Sequence, residues 1–153
     1  MKILIAGYGS IGRRHLNNLL ALGETDLVLL RSHRSTLPDD AIRDIPVETS
    51  IEAALAHQPQ AVVVANPTAL HLDVAIPAAR AGCSILMEKP VSHSMERIDE
   101  LQAALASGGG GFLTAFQYRF HPGLQQVRQW LQEGRIGSIT SGHRTRQNRR
   151  CSG

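Results

Sequence analysis

The chain has 153 residues, with 16 lysines and arginines against 13 acidic residues, for a net charge of +3 when histidine is neutral. This length suits one ordinary domain with a sizeable core rather than two complete domains. A hydrophobic content of 42% excludes wholesale disorder, and no apolar run approaches the roughly 20 residues that span a bilayer. Two cysteines, Cys83 and Cys151, cannot build a disulfide framework. We therefore expect a cytoplasmic protein without a membrane partner.

The positive charge is confined to the end of the chain. Arg144, Arg146, Arg149 and Arg150 fall in the last ten residues, whereas residues 1–143 carry 12 bases and 13 acids. Four arginines with no aromatic residue among them give at best weak, salt-sensitive binding to nucleic acid. We therefore expect no nucleic-acid partner.

Short apolar runs alternate with longer segments of helical period along the chain. The predicted strands are residues 2–6, 27–30, 61–65, 84–87, 112–116 and a last short run at 136–140. The predicted helices are residues 11–22, 50–57, 69–81 (interrupted by Pro77), 94–106 and 122–133, and residues 36–46 are mostly loop. Strands that are apolar on both faces and alternate with helices predict an α/β fold with a doubly wound parallel sheet.

Capping residues mark the ends of several of these helices. Ser50 and Ser94 have hydroxyl groups suited to cap the second and fourth helices. Gly23 and Gly82 follow the first and third helices and suit the left-handed conformation in which helices commonly end.

A glycine-rich turn follows the first strand and opens the first helix. Its G-x-G-x-x-G pattern consists of Gly7, Tyr8, Gly9, Ser10, Ile11 and Gly12. Gly7 allows the tight turn, Gly9 lets the backbone approach a pyrophosphate, and Gly12 lets helix and strand pack closely. Because the helix N-terminus favours an anion, the pattern predicts a dinucleotide site in this position. The alternative is a glycine-rich turn without a ligand.

The residues after the second strand bear on which dinucleotide binds. A carboxylate there binds the ribose 2′-hydroxyl of NAD, whereas an arginine accommodates the 2′-phosphate of NADP. Arg31, Ser32 and Arg34 follow the strand, while the nearest acids, Glu24 and Asp26, precede it at the wrong end. We predict NADP as the cofactor, with NAD as the alternative. The alternative is that these residues form a solvated basic loop that binds no ligand.

Two polar clusters follow later strands, at the edge where such sheets bind their ligands. They are Asn66, Pro67, Thr68 and His71 in the first, and Glu88, Lys89 and Pro90 in the second. Pro90 biases Lys89 toward an extended backbone, where a lysine can polarise a substrate oxygen or help to relay its proton. A strand-end lysine paired with a carboxylate is the structural alternative, and His71 alone is more typical of a helix start than of a ligand.

Several of these segments together resemble a known family. The opening MKILIAGYGSIGRRHLNNL, the segment ANPTALHLDVAIPAARAG, SILMEKPVS, and FQYRFHPGLQQVRQWLQEGRIGSI are similar to the Gfo/Idh/MocA oxidoreductases. The resemblance covers residues 1 to about 140. It implies an NAD(P)-dependent enzyme that acts on CH–OH groups of a sugar, inositol or related polyol.

The resemblance also implies roles for particular residues. Lys89 matches the active-site lysine of the family, and Glu88 matches a residue near the nicotinamide ribose. Asn66, Pro67, Thr68 and His71 match the stretch that passes the cofactor. Arg119 matches a position near the active site, and we count it and Lys89 among the residues that contact the cofactor. No metal ligand is implied.

The end of the chain departs from this family, whose members have a second α/β domain that supplies most of the substrate pocket and the oligomer interface. We expect a dinucleotide-binding domain over residues 1–120, a helix and turn over 121–140, and a disordered basic tail over 141–153. The tail contains one apolar side chain, Cys151. The expectation is a truncated member, through a shifted reading frame or deliberate shortening.

These departures limit the activity expected of the chain itself. We expect cofactor binding with little or no turnover, and self-association through apolar surface exposed over residues 112–139. A stand-alone NAD(P)-binding module or sensor is the alternative function.

Overall fold

The structure is a computed structural model that describes residues 1–31, 42 and 44–139. Two compact units, Met1–Phe116 and Gln117–Gly153, divide the chain and are treated separately. Ser32, Arg34 and the basic tail lie outside the described residues.

The first unit is built on a six-stranded parallel sheet. Its strands are β1 (Ile3–Ala6), β2 (Leu27–Leu30), β3 (Val47–Glu48), β4 (Ala61–Val64), β5 (Ser84–Met87) and β6 (Phe112–Thr114). Their order is β3-β2-β1-β4-β5-β6, and neighbouring strands run parallel. This order reverses direction between β1 and β4, as in doubly wound sheets that bind dinucleotides. The predicted α/β fold is confirmed.

Helices cover both faces of the sheet. They are α1 (Ser10–Ala21), α2 (Ile51–Ala56), α3 (His71–Arg80) and α4 (Ile98–Gly108). Because successive side chains of a strand point to opposite faces, β1 contributes to two cores. Leu4 packs in the core that contains α3 and α4, and Ile5 packs with Leu16 of α1 on the other face. Burial on both faces explains why β1 reads as a continuous apolar run.

The helix ends agree with the capping residues in three places. Ser50 accepts a hydrogen bond from the backbone N–H of Ala53 at 3.2 Å and caps α2 as predicted. Gly23 and Gly82 follow the ends of α1 and α3 with φ +84° and +78°, a conformation that costs glycine little.

Two predictions for the later helices are wrong. The helix α3 runs through Pro77 without interruption, because most of its residues are buried against the sheet and α4, and this packing outweighs the local cost of proline. Ser94 does not cap α4, which begins at Ile98. The hydroxyl of Ser92 instead accepts the backbone N–H of Ser94 at 3.2 Å, in a turn that precedes the helix.

The second unit has a simpler structure over its described part. A short 3-10 helix, Gln117–Phe120, precedes α5 (Pro122–Gln132), which starts at proline as predicted. The predicted strand at 136–140 is wrong over residues 136–139, which form a turn and irregular backbone. Gly137 has φ +67°, which breaks the extended conformation that a strand requires.

Within the described residues, no helix is long and apolar enough to cross a membrane.

Replacement of Leu16 tests the packing of α1 on the sheet. Leu16 is fully buried, so Leu16→Ala is expected to lower the free energy of unfolding by about 3 kcal/mol in urea denaturation followed by circular dichroism. Leu22→Ala is the matched control, because Leu22 is 79% exposed and its loss should change stability by less than about 0.5 kcal/mol. Equal effects of the two substitutions would contradict this packing.

Candidate functional site

A cavity of about 680 Å³ opens in the first unit at the carboxyl ends of the strands. Ala6 at the end of β1, Leu30 at the end of β2 and Ala65 just after β4 contribute to its wall. The other described lining residues come from the segments that follow these three strands and β3: Gly7, Tyr8, Gly9, Ser10, Ile11, Arg31, Thr49, Ile51, Asn66, Pro67, Leu70, Asp73 and Val74. The structure thus brings the glycine turn together with Arg31 and the start of the first polar cluster.

The three glycines of the turn occupy different surroundings. Gly7 has φ +98°, and a Cβ there would lie 2.6 Å from the backbone nitrogen of Asn66. A Cβ on Gly12 would overlap the carbonyl oxygen of Gly7. Gly9 has nothing within 4 Å of its Cβ position and faces the cavity. Packing therefore requires glycine at positions 7 and 12, while Gly9 leaves open space in front of the backbone.

The N-terminus of α1 is open toward this space. Gly9 is the N-cap residue, and neither a capping side chain nor an acidic residue occupies the first turn. The first N–H groups of a helix have no intrahelical partner and carry the positive end of its dipole. This end of α1 therefore suits a bound anion.

Asn66 presents an unused acceptor at the same cavity. Its Nδ2 donates to the carbonyl oxygen of Leu70 at 2.9 Å, which fixes the orientation of the amide. Its Oδ1 is buried, and within the described part of the chain it has no hydrogen-bond partner. A buried oxygen left in this state is costly, so it suits a ligand that donates a hydrogen bond. The glycine turn and Asn66 together fit a dinucleotide, which carries both phosphates and donor groups.

Arg31 lies against Tyr8 at the end of β2. Its side chain is only 7% exposed, and its guanidinium carbon lies 5.3 Å from the centre of the Tyr8 ring. The guanidinium of Arg13 lies at the same distance from that ring. The backbone N–H of Arg31 donates to the carbonyl of Glu48, so β3 fixes the position of Arg31. Two cations beside one ring make this end of the cavity electropositive.

Asp73 is the acidic side chain among the described lining residues, and it is already paired. Arg97 donates to its Oδ1 at 2.6 Å and also donates to Glu100 at 2.9 Å. The hydrogen bond to Glu100, and then that to Asp73, raises the pKa of Arg97, while the hydrogen bond from Arg97 lowers the pKa of Glu100. The cavity therefore has no unpaired carboxylate among its described lining residues.

The second polar cluster lies just after β5 and does not line the cavity. Lys89 is exposed and has no ion pair with a carboxylate of the described residues. The alternative interpretation, a strand-end lysine paired with a carboxylate, therefore finds no such carboxylate among these residues. Glu88 accepts a hydrogen bond from the Nε2 of His15 at 2.9 Å. The remaining residues of the first cluster also lie outside the cavity lining, with Thr68 half-buried at the start of a 3-10 turn and His71 buried.

Arg119 belongs to the second unit, where it is exposed in the 3-10 helix. Its place near the cofactor stays a prediction, as do those of Ser32 and Arg34.

Sequence reasoning missed two parts of this arrangement. Thr49 lines the cavity after β3, a strand of two residues that is too short to show a period. Thr49 is a polar residue directly after a strand, the same pattern that identified Asn66, but it could be used only if β3 had been recognised. The His15–Glu88 pair joins residues 73 positions apart, and no local pattern indicates it.

The strand order, the glycine turn and the open end of α1 define a Rossmann domain of the kind that binds NAD. Comparison with known proteins agrees, because the family described as "Oxidoreductase family, NAD-binding Rossmann fold" matches residues 1–116. The chain belongs to this family, the Gfo/Idh/MocA oxidoreductases.

Individual relatives match most of the chain. It is 28% identical over 138 residues to the uncharacterized oxidoreductase YrbE of Bacillus subtilis, covering 88% of this chain and 40% of that protein. It is 26% identical over 145 residues to the myo-inositol 2-dehydrogenase of Thermotoga maritima, covering 90% and 42%. The chain therefore spans about 40% of the length of these curated relatives.

Solved structures show the same likeness. The scyllo-inositol dehydrogenase of Lactobacillus casei, with bound NAD(H) and scyllo-inositol, superposes with a TM-score of 0.76 at 26% identity, covering 92% of this chain and 43% of that one. The WlbA dehydrogenase of Bordetella pertussis, in complex with NADH and UDP-GlcNAcA, has a TM-score of 0.76 at 25% identity, covering 90% and 43%.

Alanine substitutions at Gly12 and Gly9 distinguish a glycine required for packing from one that leaves open space in front of the backbone. Gly12→Ala is expected to lower the free energy of unfolding by about 1–3 kcal/mol, because the added methyl group meets the backbone of Gly7. Gly9→Ala enters open space at an N-cap position and should cost less than about 1 kcal/mol. Urea denaturation measures both values, and a Gly9→Ala loss equal to that of Gly12→Ala would contradict the assignment.

Proposed function

We propose that this chain forms the dinucleotide-binding part of an oxidoreductase that transfers hydride between NADP or NAD and a sugar, inositol or related polyol. The observation that carries the proposal is the cavity, which is lined by the glycine turn at the open N-terminus of α1 and by Asn66, whose buried Oδ1 has no hydrogen-bond partner among the described residues. The relatives named above as inositol dehydrogenases support the substrate class.

The residues of the chain divide into binding and chemical roles. Gly9 lets a diphosphate come close to the first N–H groups of α1, which donate hydrogen bonds to it. The Oδ1 of Asn66 accepts a hydrogen bond from the bound group. When bound, the nicotinamide dinucleotide supplies the hydride donor or acceptor.

Lys89 has the chemical role in this proposal. It follows β5, at the carboxyl edge of the sheet on which the cavity opens, and its ammonium group is exposed. In the direction of oxidation, the neutral amine of Lys89 accepts the proton of the substrate hydroxyl as hydride leaves the carbon, and becomes an ammonium group. In the reverse direction this ammonium group donates the same proton back to the substrate oxygen as hydride returns to the carbon.

NADP is the proposed cofactor, with NAD as the alternative. Arg31 at the end of β2 and the absence of an unpaired carboxylate among the described lining residues support the 2′-phosphate. The bound NADH and NAD(H) in the two solved relatives support the alternative.

A second candidate function is a stand-alone NAD(P)-binding module or sensor. The observation that favours it is that all the described residues lining the cavity belong to the first unit. This function requires binding alone, so turnover that is lost in Lys89→Ala would favour the enzyme over it.

Thermal denaturation with added dinucleotide tests the binding site. At a concentration of 100 times the dissociation constant, a bound ligand stabilises the fold by about 2.7 kcal/mol, so we expect a clear rise in Tm with NADPH and a smaller one with NADH at equal concentration.

Substitutions at the site should change these Tm shifts. Gly9→Ala should reduce both the NADPH shift and the NADH shift. Arg31→Ala should reduce the NADPH shift alone, and Arg80→Ala, which changes an exposed arginine of α3 outside the cavity, is its control. No shift with either dinucleotide would contradict the proposed function.

Absorbance at the nicotinamide band, with a panel of inositols and sugars, tests the chemistry. Lys89→Ala is expected to keep the dinucleotide shift and to lose at least about 10²-fold in any turnover of the wild-type chain, because it removes a proton-transfer group. Lys2→Ala is the matched control, since Lys2 lies before β1 at the opposite edge of the sheet. Turnover that survives Lys89→Ala would contradict the role of Lys89.

A further inference from the structure

We propose that His15 and His71 are positioning residues that hold the Lys89 segment from both sides, one through Glu88 and the other through Pro90. The inference rests on the proposed function, because it takes Lys89 as the group that the two histidines serve. Neither histidine touches Lys89 in the described contacts.

The contact on one side comes from α1. The Nε2 of His15 lies 2.9 Å from the Oε1 of Glu88, and both side chains are about one-fifth exposed. A carboxylate accepts hydrogen bonds and donates none, so the Nε2 of His15 carries the proton. The backbone N–H of Glu88 also donates to the carbonyl of Val64 at 3.0 Å. Glu88 is thus held through its main chain by β4 and through its side chain by the helix that begins at the glycine turn.

The contact on the other side comes from the start of α3. His71 is 1% exposed, and its Nδ1 lies 3.0 Å from the carbonyl oxygen of Pro90. Its Nε2 lies 3.0 Å from the carbonyl oxygen of Asn66. One buried ring therefore spans the segment after β4 and the segment after β5. Since a buried ring has little freedom to move, it fixes the separation of these two segments.

Lys89 itself has no such anchor. Its side chain is exposed and makes no ion pair with a described carboxylate, so its ammonium group is placed by the backbone that carries it. That backbone is fastened at the residue before and at the residue after. Groups that act on a reacting atom need this support, because a displacement of about 1 Å can cost roughly 10²-fold in rate.

A second histidine–glutamate pair provides a matched control. The Nε2 of His57 lies 2.8 Å from the Oε1 of Glu48, with both side chains 30% exposed. Glu48 belongs to β3, which lies at the other end of the sheet from β5 and β6. Loss of this pair removes an interaction of the same kind without touching the Lys89 segment.

The composition of the chain makes the position of Lys89 directly observable. Lys2 and Lys89 are the two lysines of the sequence, so reductive methylation with ¹³C-formaldehyde gives two lysine signals and one from the N-terminus in a carbon–proton NMR spectrum. Lys2 pairs with Asp26 at 3.8 Å, at the amino ends of the strands, and serves as the internal reference.

We expect His15→Ala to displace the Lys89 signal while the Lys2 signal stays in place. His15→Gln, whose amide can still donate to Glu88, should bring the Lys89 signal back toward its wild-type position. His57→Ala should leave both signals unchanged. An unmoved Lys89 signal in His15→Ala, or an equal displacement in His57→Ala, would overturn the role of His15.

The role of His71 has its own test, because the residue is buried. His71→Leu should displace the Lys89 signal, and His71→Gln, with two amide protons for the two carbonyls, should displace it less. If the leucine variant does not fold, proton exchange of the histidine rings in the wild-type chain decides. The ring N–H of His71 should exchange far more slowly than those of the exposed His93 and His121. Equal exchange rates would overturn the positioning role of His71.

These outcomes separate the inference from the proposed function. Failure of the proposed function appears in the wild-type chain, when NADPH and NADH change neither the Tm nor the Lys89 signal. Failure of the positioning role appears in the variants without dinucleotide, when the Lys89 signal does not depend on His15 or His71.

Discussion

The close approach of α1 to the end of β1 is the constraint on which the site depends. A side chain at position 12 would overlap the carbonyl of Gly7, and one at position 7 would meet the backbone of Asn66. With glycine at both places, the helix starts at the carboxyl edge of the sheet, with its first N–H groups at the cavity. The same placement brings His15, in the second turn of α1, within hydrogen-bond distance of Glu88. One packing contact thus positions both the anion site and a support of the Lys89 segment.

The carboxyl edge of the sheet is held together largely by contacts between the segments that leave it. The backbone of Arg31 is bound to that of Glu48, and His71 joins the segments after β4 and β5. Parallel strands bring these segments close together, and both backbone and side-chain hydrogen bonds connect them. His71, which joins two of these segments, is distinct from the residues that line the cavity.

Much of the fold could be predicted from the sequence because its signals are local. Buried strands read as apolar runs, Ser50 and Gly23 mark helix ends, and the glycine pattern falls between a strand and a helix. Distant packing decides in two of the places where the sequence was misleading. The burial of α3 carries the helix through Pro77, and β3, with two residues, depends on pairing with β2 rather than on a pattern of its own.

The candidate site was predictable to a similar depth. The glycine turn and Asn66 are set by their positions after strands, whereas the stacking of Arg31 on Tyr8 and the pairing of His15 with Glu88 depend on the complete sheet. Amide chemical shifts mapped during a titration with NADPH test whether the open end of α1 and Asn66 form one dinucleotide site. We expect perturbations concentrated at Gly9, Ser10, Ile11 and the side-chain amide of Asn66. Saturable binding whose perturbations fall elsewhere, with these amides unmoved, would contradict it.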